Sequence, residues 1–337
     1  MDLAALKESL SRPTPPALDA LREIEGDLVV LGAGGKMGPS FARMAARGFE
    51  EIGSEHAVMA VARFSDPAAR EEIESSGART IACDLLDRDA VAALPDAGAV
   101  AFLVGTKFGT SDDAAKTWAL NAWLPGIVAD RYRGVPTVVF SSGNVYPFVP
   151  VDGGGATEDT PIAPVGEYAQ SVVARERIFE HFSREHGTPT TIYRLNYAAE
   201  LRYGVPLDIA LRVHRGEPVD LANGHCNVIW QGDANAMALA CFSVAASPPR
   251  VLNVTGGETL SVRDLATRFG KIFDRTPTFD GAESDSALLS NASEAIKLFG
   301  PLRVTMDELT QWIGDWVKAG GPTHDKPTHF EVRDGAF

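Results

Sequence analysis

Asp27-Leu-Val-Val-Leu-Gly-Ala-Gly-Gly-Lys-Met-Gly38 is an apolar run that breaks into glycines, and Pro39-Ser-Phe-Ala-Arg-Met-Ala-Ala-Arg47 follows it directly. Four consecutive apolar residues, Leu28 to Leu31, predict a strand buried on both faces, and the segment after the glycines predicts a helix. Strand, glycine turn and helix in that order make a cradle for phosphate. Gly32, Gly35 and Gly38 fall at a Gly-x-x-Gly-x-x-Gly spacing. The first allows the tight turn, the second lets the backbone approach a pyrophosphate, and the third lets helix and strand pack closely, so that the first N–H groups of the helix face the anion. Met37 stands where Ser or Thr would follow the lysine of a triphosphate-binding P-loop, so Lys36 does not make the loop one of those. Glycine turns also end strands for steric reasons alone, and the rest of the chain has to decide between the two readings.

The chain has 337 residues, 45% of them hydrophobic, which is ample for a buried core. Its formal charge of −14 argues against nucleic acid or an anionic membrane as partner. Cys83, Cys226 and Cys241 are odd in number and not at ligand spacing, so a reducing compartment is expected and a disulfide framework is not. The seven histidines show no paired ligand spacing, and no metal site is expected. The N-terminus lacks the basic and apolar regions of a signal peptide, and no apolar run approaches the ~20 residues of a membrane span. A cytoplasmic enzyme is the expectation.

Residues 1–26 read as a helical extension hinged by Pro13, Pro15 and Pro16. Apolar runs at 28–31, 57–62, 78–82, 99–104, 136–140 and 190–195 then alternate with helical stretches, among them 112–133 and 168–186. This alternation predicts an α/β fold, a doubly wound parallel sheet of Rossmann type with helices on both faces. The dinucleotide-binding domain is expected to span 27–195, with 225–254 contributing. Segments 196–224 and 255–319, including a helix over 284–299, form a smaller C-terminal α/β substrate lobe, and 320–337 form an irregular tail.

Val138-Val-Phe-Ser-Ser-Gly-Asn-Val-Tyr-Pro147 resembles the strand-end motif Ser-Ser-x-x-Val-Tyr-Gly of the extended short-chain dehydrogenase/reductases, the NAD-dependent epimerase/dehydratase group. The resemblance runs through most of the chain. It includes the three glycines, Asp84-Leu85, Asn121, Glu158-Asp-Thr-Pro, Pro164-Val-Gly-Glu-Tyr168 and Asn253-Val-Thr-Gly-Gly. It implies that Ser142 hydrogen-bonds the reacting oxygen and that Tyr168 is the acid/base. It further implies dinucleotide contacts from Gly32, Gly35, Lys36, Met37 and Gly38, from Asp84 and Leu85, and from Val104 and Gly105. Gly143, Asn144 and Asn196 would border the substrate. A hydroxyl donor and a phenol beside the nicotinamide are what hydride transfer needs, one polarising the carbonyl and the other exchanging its proton.

One departure bears on the chemistry. Reading on from Tyr168 gives Ala-Gln-Ser-Val172, so valine stands where the family's Tyr-x-x-x-Lys has lysine. Lys107, in the loop after the fourth strand, is a candidate replacement. Alternatively Tyr168 acts as a neutral acid, Glu167 or His214 serves as base, or the protein binds the cofactor as a sensor without turning it over. Arg63, with Ser65, ends the second strand where an NAD enzyme places Asp or Glu, which favours NADP; Asp66 nearby keeps NAD open.

Cys226-Asn-Val-Ile-Trp230 replaces the Arg-Asp-Phe typical of nucleotide-sugar members, leaving Arg194, Arg202, Arg212 and Arg215 as candidates for an anionic substrate. The resulting expectation is an NAD(P)-dependent oxidoreductase or epimerase acting on a carbinol or carbonyl of a sugar or sugar-derived acid. An isomerase or lyase with tightly bound cofactor is the alternative. A homodimer through the two long helices is implied by the resemblance.

Overall fold

Leu28–Leu31 (β1) lies inside a seven-stranded parallel sheet in the computed structural model, which describes residues 1–107, 109 and 112–336. The other strands are Val58–Ala62 (β2), Arg79–Ala82 (β3), Ala99–Phe102 (β4), Thr137–Ser142 (β5), Thr190–Leu195 (β6) and Arg250–Val254 (β7). Their order is β7-β6-β5-β4-β1-β2-β3. Alternate residues of β1 point to opposite faces and enter different cores. Leu28 and Val30 pack with the helices Gly38–Glu51 and Gln231–Ala240, while Val29 and Leu31 pack with Val128 and Phe179 from the two long helical segments on the other face. Burial on both faces is why β1 reads as an unbroken apolar run.

The first 26 residues are tied into the body. Asp2 and Thr14 cap the helices Leu3–Leu10 and Pro15–Arg22, which pack against Gln231–Ala240. Glu8 takes Arg47 in a two-pronged pair at 2.8 and 2.9 Å. A third core gathers the helices Val205–Arg215, Val262–Phe273 and Met306–Lys318 into the second lobe. The segment after Gly320 has no helix or strand among its described residues, yet it is pinned. It runs back across this lobe and seats Phe330, 3% exposed, in the lobe's core.

Two segments differ from expectation. The helix expected over 284–299 is confined to Ser293–Phe299, and Ser286–Ala287 pairs antiparallel with Val149–Pro150. Ala287, Leu288 and Leu289 are buried in succession, which suits an extended chain better than one face of a helix. The amides of Asn196 and Asn227 hold that extended course by donating to the carbonyls of Leu288 and Ser290. The helix expected over 112–133 contains a π turn at Ala119–Trp123 between Ala114–Trp118 and Leu124–Arg131.

Gly38 opens its helix so close to the preceding turn that a Cβ would lie 2.1 Å from the Ala33 carbonyl oxygen. Gly38→Ala is therefore expected to lower the unfolding free energy by about 1–3 kcal/mol, the usual range for forced overpacking. Gly257→Ala, where the added carbon meets only the Ile296 side chain at 3.7 Å, is the control in urea titrations. Equal midpoints for the two variants would contradict the packing argument.

Candidate active site

The sheet order reverses between β1 and β4, so the helices that follow these strands leave on opposite faces and a crevice opens at their carboxyl ends. A cavity of about 460 Å³ occupies it, and a hollow of about 260 Å³ continues toward β2. Gly32, Gly35, Lys36, Met37, Gly38, Val104, Gly105, Lys107, Ser142, Asn144, Tyr168 and Asn196 all line the larger cavity, while Arg63, Asp84 and Leu85 line the hollow. Gly143 lines neither cavity; it is buried against Asn196 and Ser290, where a Cβ would find both at 3.0 Å.

The glycine turn has the conformation its spacing implied. Gly32 sits at φ +86°, where a Cβ would also fall 2.8 Å from the Val104 nitrogen. Met37 gives the helix Gly38–Glu51 no side-chain cap, which leaves its amino end suited to an anion. At the far end of the hollow, Asp66 accepts a hydrogen bond from the Ala68 amide at 2.9 Å and caps the helix Pro67–Glu74. That bond commits one carboxylate oxygen locally; Arg63, Ser65 and Asp66 all line the hollow.

Ser142 donates to Asn144 Oδ1 at 3.0 Å and accepts from the Asn144 amide at 3.2 Å. Tyr168 stands in the first turn of the helix Gly166–His186, half-buried at the cavity wall. Val172, one turn on, is wholly buried and packs with Val145, Tyr146 and Ala156. A second turn on lies Arg175, 4% exposed and lining the cavity. Its guanidinium donates to the Phe140 carbonyl at 2.7 Å and to Asn121 Oδ1 at 2.9 Å, and a Cβ on Gly105 would fall 2.8 Å from it. Burial pushes Arg175 down to about 10, against the pull of the Tyr168 phenol and the Glu176 carboxylate, so it stays charged at neutral pH. The Tyr-x-x-x-Lys spacing points only to the fourth residue after Tyr168, so the motif carries no signal for Arg175. The seventh shares that helix face.

Asn121, in the π turn, is the junction of this region. Its amide nitrogen donates to the Thr106 carbonyl and to Ser171 Oγ, each at 3.0 Å, and its oxygen accepts from the Thr106 amide at 3.0 Å as well as from Arg175. It thereby fixes the loop carrying Val104 and Gly105 to the helix carrying Tyr168.

Lys107 lines the cavity with its ammonium 6.0 Å from the Tyr197 ring centroid, and burial pushes it down to about 8, opposed by Glu331. Lys36 turns away from the hollow and lies 3.3 Å over the ring of Tyr203. Burial pushes it down to about 7, helped by Lys326 and Lys107 and opposed by Asp208.

Several other candidates are engaged elsewhere. Asn196 reaches the cavity wall, but its amide is bound to Asn227 Oδ1 and the Leu288 carbonyl. Arg194 is buried in a pair with Glu176 at 2.7 Å and donates to the Tyr146 hydroxyl; Arg202 pairs with Glu200. Glu167 accepts from the Trp118 indole at 2.5 Å and His214 lies against Phe273, and neither lines the cavity. Lys326 and Thr328, from the irregular C-terminal segment, line the cavity; nothing in that segment's sequence marked them. Among the described residues there is no cluster of three or more metal-binding side chains, and no helix is long and apolar enough to cross a membrane.

A glycine turn at the switch point of a parallel sheet, faced by a strand-end serine and a helix-borne tyrosine, defines a Rossmann-type protein of the short-chain dehydrogenase/reductase class. The sequence profile of the NAD dependent epimerase/dehydratase family matches residues 28–222, more than half of the chain, and the protein belongs to that family. Solved structures with the same fold include UDP-glucuronic acid 4-epimerase from Bacillus cereus in complex with UDP-glucuronic acid and NAD, 16% identical with a TM-score of 0.72 over 87% of this chain and 99% of that one. DesIV, a dTDP-glucose 4,6-dehydratase from Streptomyces venezuelae with NAD and TYD bound, is 16% identical with a TM-score of 0.73 over 87% and 97%. UDP-glucose 4-epimerase from Thermus thermophilus in complex with NAD is 20% identical with a TM-score of 0.71 over 87% and 99%. No curated protein matches the chain by sequence.

Asn121→Ala would remove the hydrogen bonds that the amide makes to two backbone groups of Thr106, to Ser171 Oγ and to one guanidinium nitrogen of Arg175. It is expected to destabilise the protein by about 1–3 kcal/mol and to speed hydrogen exchange at the Thr106 amide. Unchanged exchange there would show that other contacts hold the loop.

Proposed function

We propose that the protein is an NAD(P)-dependent oxidoreductase or epimerase acting on a carbinol or carbonyl carbon of a sugar or sugar-derived acid. The observation that carries this reading is that Ser142, from the end of β5, and Tyr168, from the following helix, border the same cavity as the glycine turn, with the charged Arg175 on the Tyr168 helix. Family membership supports it, as do the nucleotide-sugar enzymes that share the fold.

The residues present fit a dinucleotide. Side chains at Gly32 or Gly38 would close the turn, and the hollow continues the cavity toward β2. The glycine turn would hold the pyrophosphate, Asp84 and Leu85 the adenine, and Val104 and Gly105 the nicotinamide end. Bound there, the cofactor supplies reversible acceptance of hydride. Ser142 Oγ then holds the substrate oxygen and Tyr168 Oη exchanges its proton. Arg175 supplies the positive charge that Val172 cannot, in preference to Lys107, whose ammonium lies toward Tyr197. Arg63 favours NADP because a guanidinium matches a 2′-phosphate and Asp66 is committed as a cap. The two long helical segments expose Trp118 and Trp123, which suits pairing of two copies through them.

Reduced-nicotinamide absorbance, together with NMR of the sugar for epimerisation that leaves no net cofactor change, followed against UDP-sugars, free sugars and sugar acids, tests the reading. Tyr168→Phe is expected to lower kcat about 10²–10⁴-fold, the usual share of a positioned acid/base, with dinucleotide affinity retained. Full turnover in that variant would remove Tyr168 from the chemistry, and binding without turnover of any substrate would favour a sensor. Arg63→Ala should weaken NADP and spare NAD; equal losses for the two would contradict the phosphate preference.

A further inference from the structure

The large cavity is lined by four cations, Lys36, Lys107, Arg175 and Lys326, and by no Asp, Glu or His among its described residues. This is the reverse of the chain as a whole, which carries 45 acidic residues against 31 basic ones. Arg175 is engaged beneath Gly105 by Phe140 and Asn121. The three lysines come from three separate places: the glycine turn, the loop after β4 and the C-terminal segment.

Two of them rest near aromatic rings that line the cavity: Lys36 Nζ lies 3.3 Å over the Tyr203 ring and Lys107 Nζ lies 6.0 Å from the Tyr197 ring centroid. The third is brought in by the segment after Gly320, which is held at several points. Thr328 donates its amide and its hydroxyl to Asp208 at 2.7 and 2.6 Å, the His324 amide donates to the Arg202 carbonyl at 3.0 Å, and Phe330 is buried. Among the described residues, Asp208 acts on Lys36 and Glu331 acts on Lys107. Asp208 is already engaged by Thr328.

The Lys326 ammonium also disfavours the charge on Lys36. A group that brings negative charge between them relieves that cost. The cofactor's pyrophosphate would sit on the glycine turn, whereas Lys36 leans from that turn toward Tyr203 in the second lobe.

We infer that Lys36, Lys107 and Lys326 form a binding site for the acid group of a sugar-sized substrate, a carboxylate or a phosphate ester, and that the C-terminal segment is part of this site. The inference rests on the proposed function for the presence of a sugar substrate and adds its charge and the residues that read it.

Pyridoxal 5′-phosphate, an aldehyde with its own anionic group, tests the site on the full-length protein. The protein is saturated with NADP, labelled, reduced with borohydride and mapped by peptide mass spectrometry, with inorganic phosphate, glucuronate or glucose as competitor. Near neutral pH, Lys36 and Lys107 are expected to label ahead of the exposed Lys271 and Lys318. Phosphate or glucuronate should slow that labelling several-fold and glucose should not; the stronger of the two anions separates the phosphate from the carboxylate form.

Protection by glucuronate, whose own charge is constant in this range, should fade as pH rises through about 7 and 8, where Lys36 and Lys107 lose their charge. Lys326→Met should weaken anion protection, and Thr328→Val, which loosens the segment without touching a lysine, should do the same. The proposal is overturned if Lys36 and Lys107 label no faster than the exposed lysines. It is equally overturned if NADP alone protects them fully, or if glucose protects as well as glucuronate. NADP binding, measured separately by equilibrium dialysis, tells the two readings apart. Its absence removes the proposed function, while anion protection of the lysines is read without it.

Discussion

Parallel strands cannot turn straight back, so each needs a crossover helix, and the sheet must reverse its order somewhere if both faces are to be covered. Here the reversal falls between β1 and β4, and it leaves a gap at their carboxyl ends. The tight turn at Gly32, the close approach of Gly38 to Ala33 and the fit of Gly105 against Arg175 all follow from that gap. Each glycine lets one element come closer to the crevice than a side chain would allow. Asn121 then joins the β4 loop to the tyrosine-bearing helix by spending its whole amide on them. A π turn at this residue adds one position to the helix and aims the amide inward.

What was legible in the sequence was whatever obeyed a short-range rule. The run at Leu28–Leu31 and the glycine spacing marked the first strand, turn and helix, because burial on both faces and a positive φ each restrict residue type locally. Ser142 and Tyr168 were legible through motif. Arg175 was not, because the motif's Tyr-x-x-x-Lys spacing ends at Val172, one helical turn short of it. Lys326 and Thr328 lie in a segment without periodicity, and only the long-range clasp on Asp208 determines where they go. The stretch from Ser284 to Ala292 misled for a related reason. Its Ala and Leu residues have helical propensity, but the amides of Asn196 and Asn227, distant in sequence, hold the backbone extended.

The distribution of charge bears on how ligands arrive. A body with net charge −14 repels anions at long range, while the low-dielectric walls of a cleft lined by cations focus a field of the opposite sign inside it. Entry is therefore set by short-range capture at the mouth, and added salt weakens the outer repulsion more than the buried attraction. The buried Arg194–Glu176 pair, with Tyr146 and Asn253 completing its hydrogen bonds, is of a different kind. It sits behind the site, ties β5, β6 and β7 together, and presents no charge to the cavity.

The two helices at the start of the chain have a consequence for how the protein is made. Leu3–Leu10 and Pro15–Arg22 pack against Gln231–Ala240, more than two hundred positions away. As the polypeptide leaves the ribosome, these helices emerge first and must wait for most of the sheet to be synthesised before their principal partner exists. Leu6 and Leu10 bury in a core whose other members all come after residue 196, so these two side chains lack their partners during that interval. Docking of the two helices on Gln231–Ala240 closes a loop of about two hundred residues, which makes the amino-terminal residues late participants in folding although they are the first to be translated.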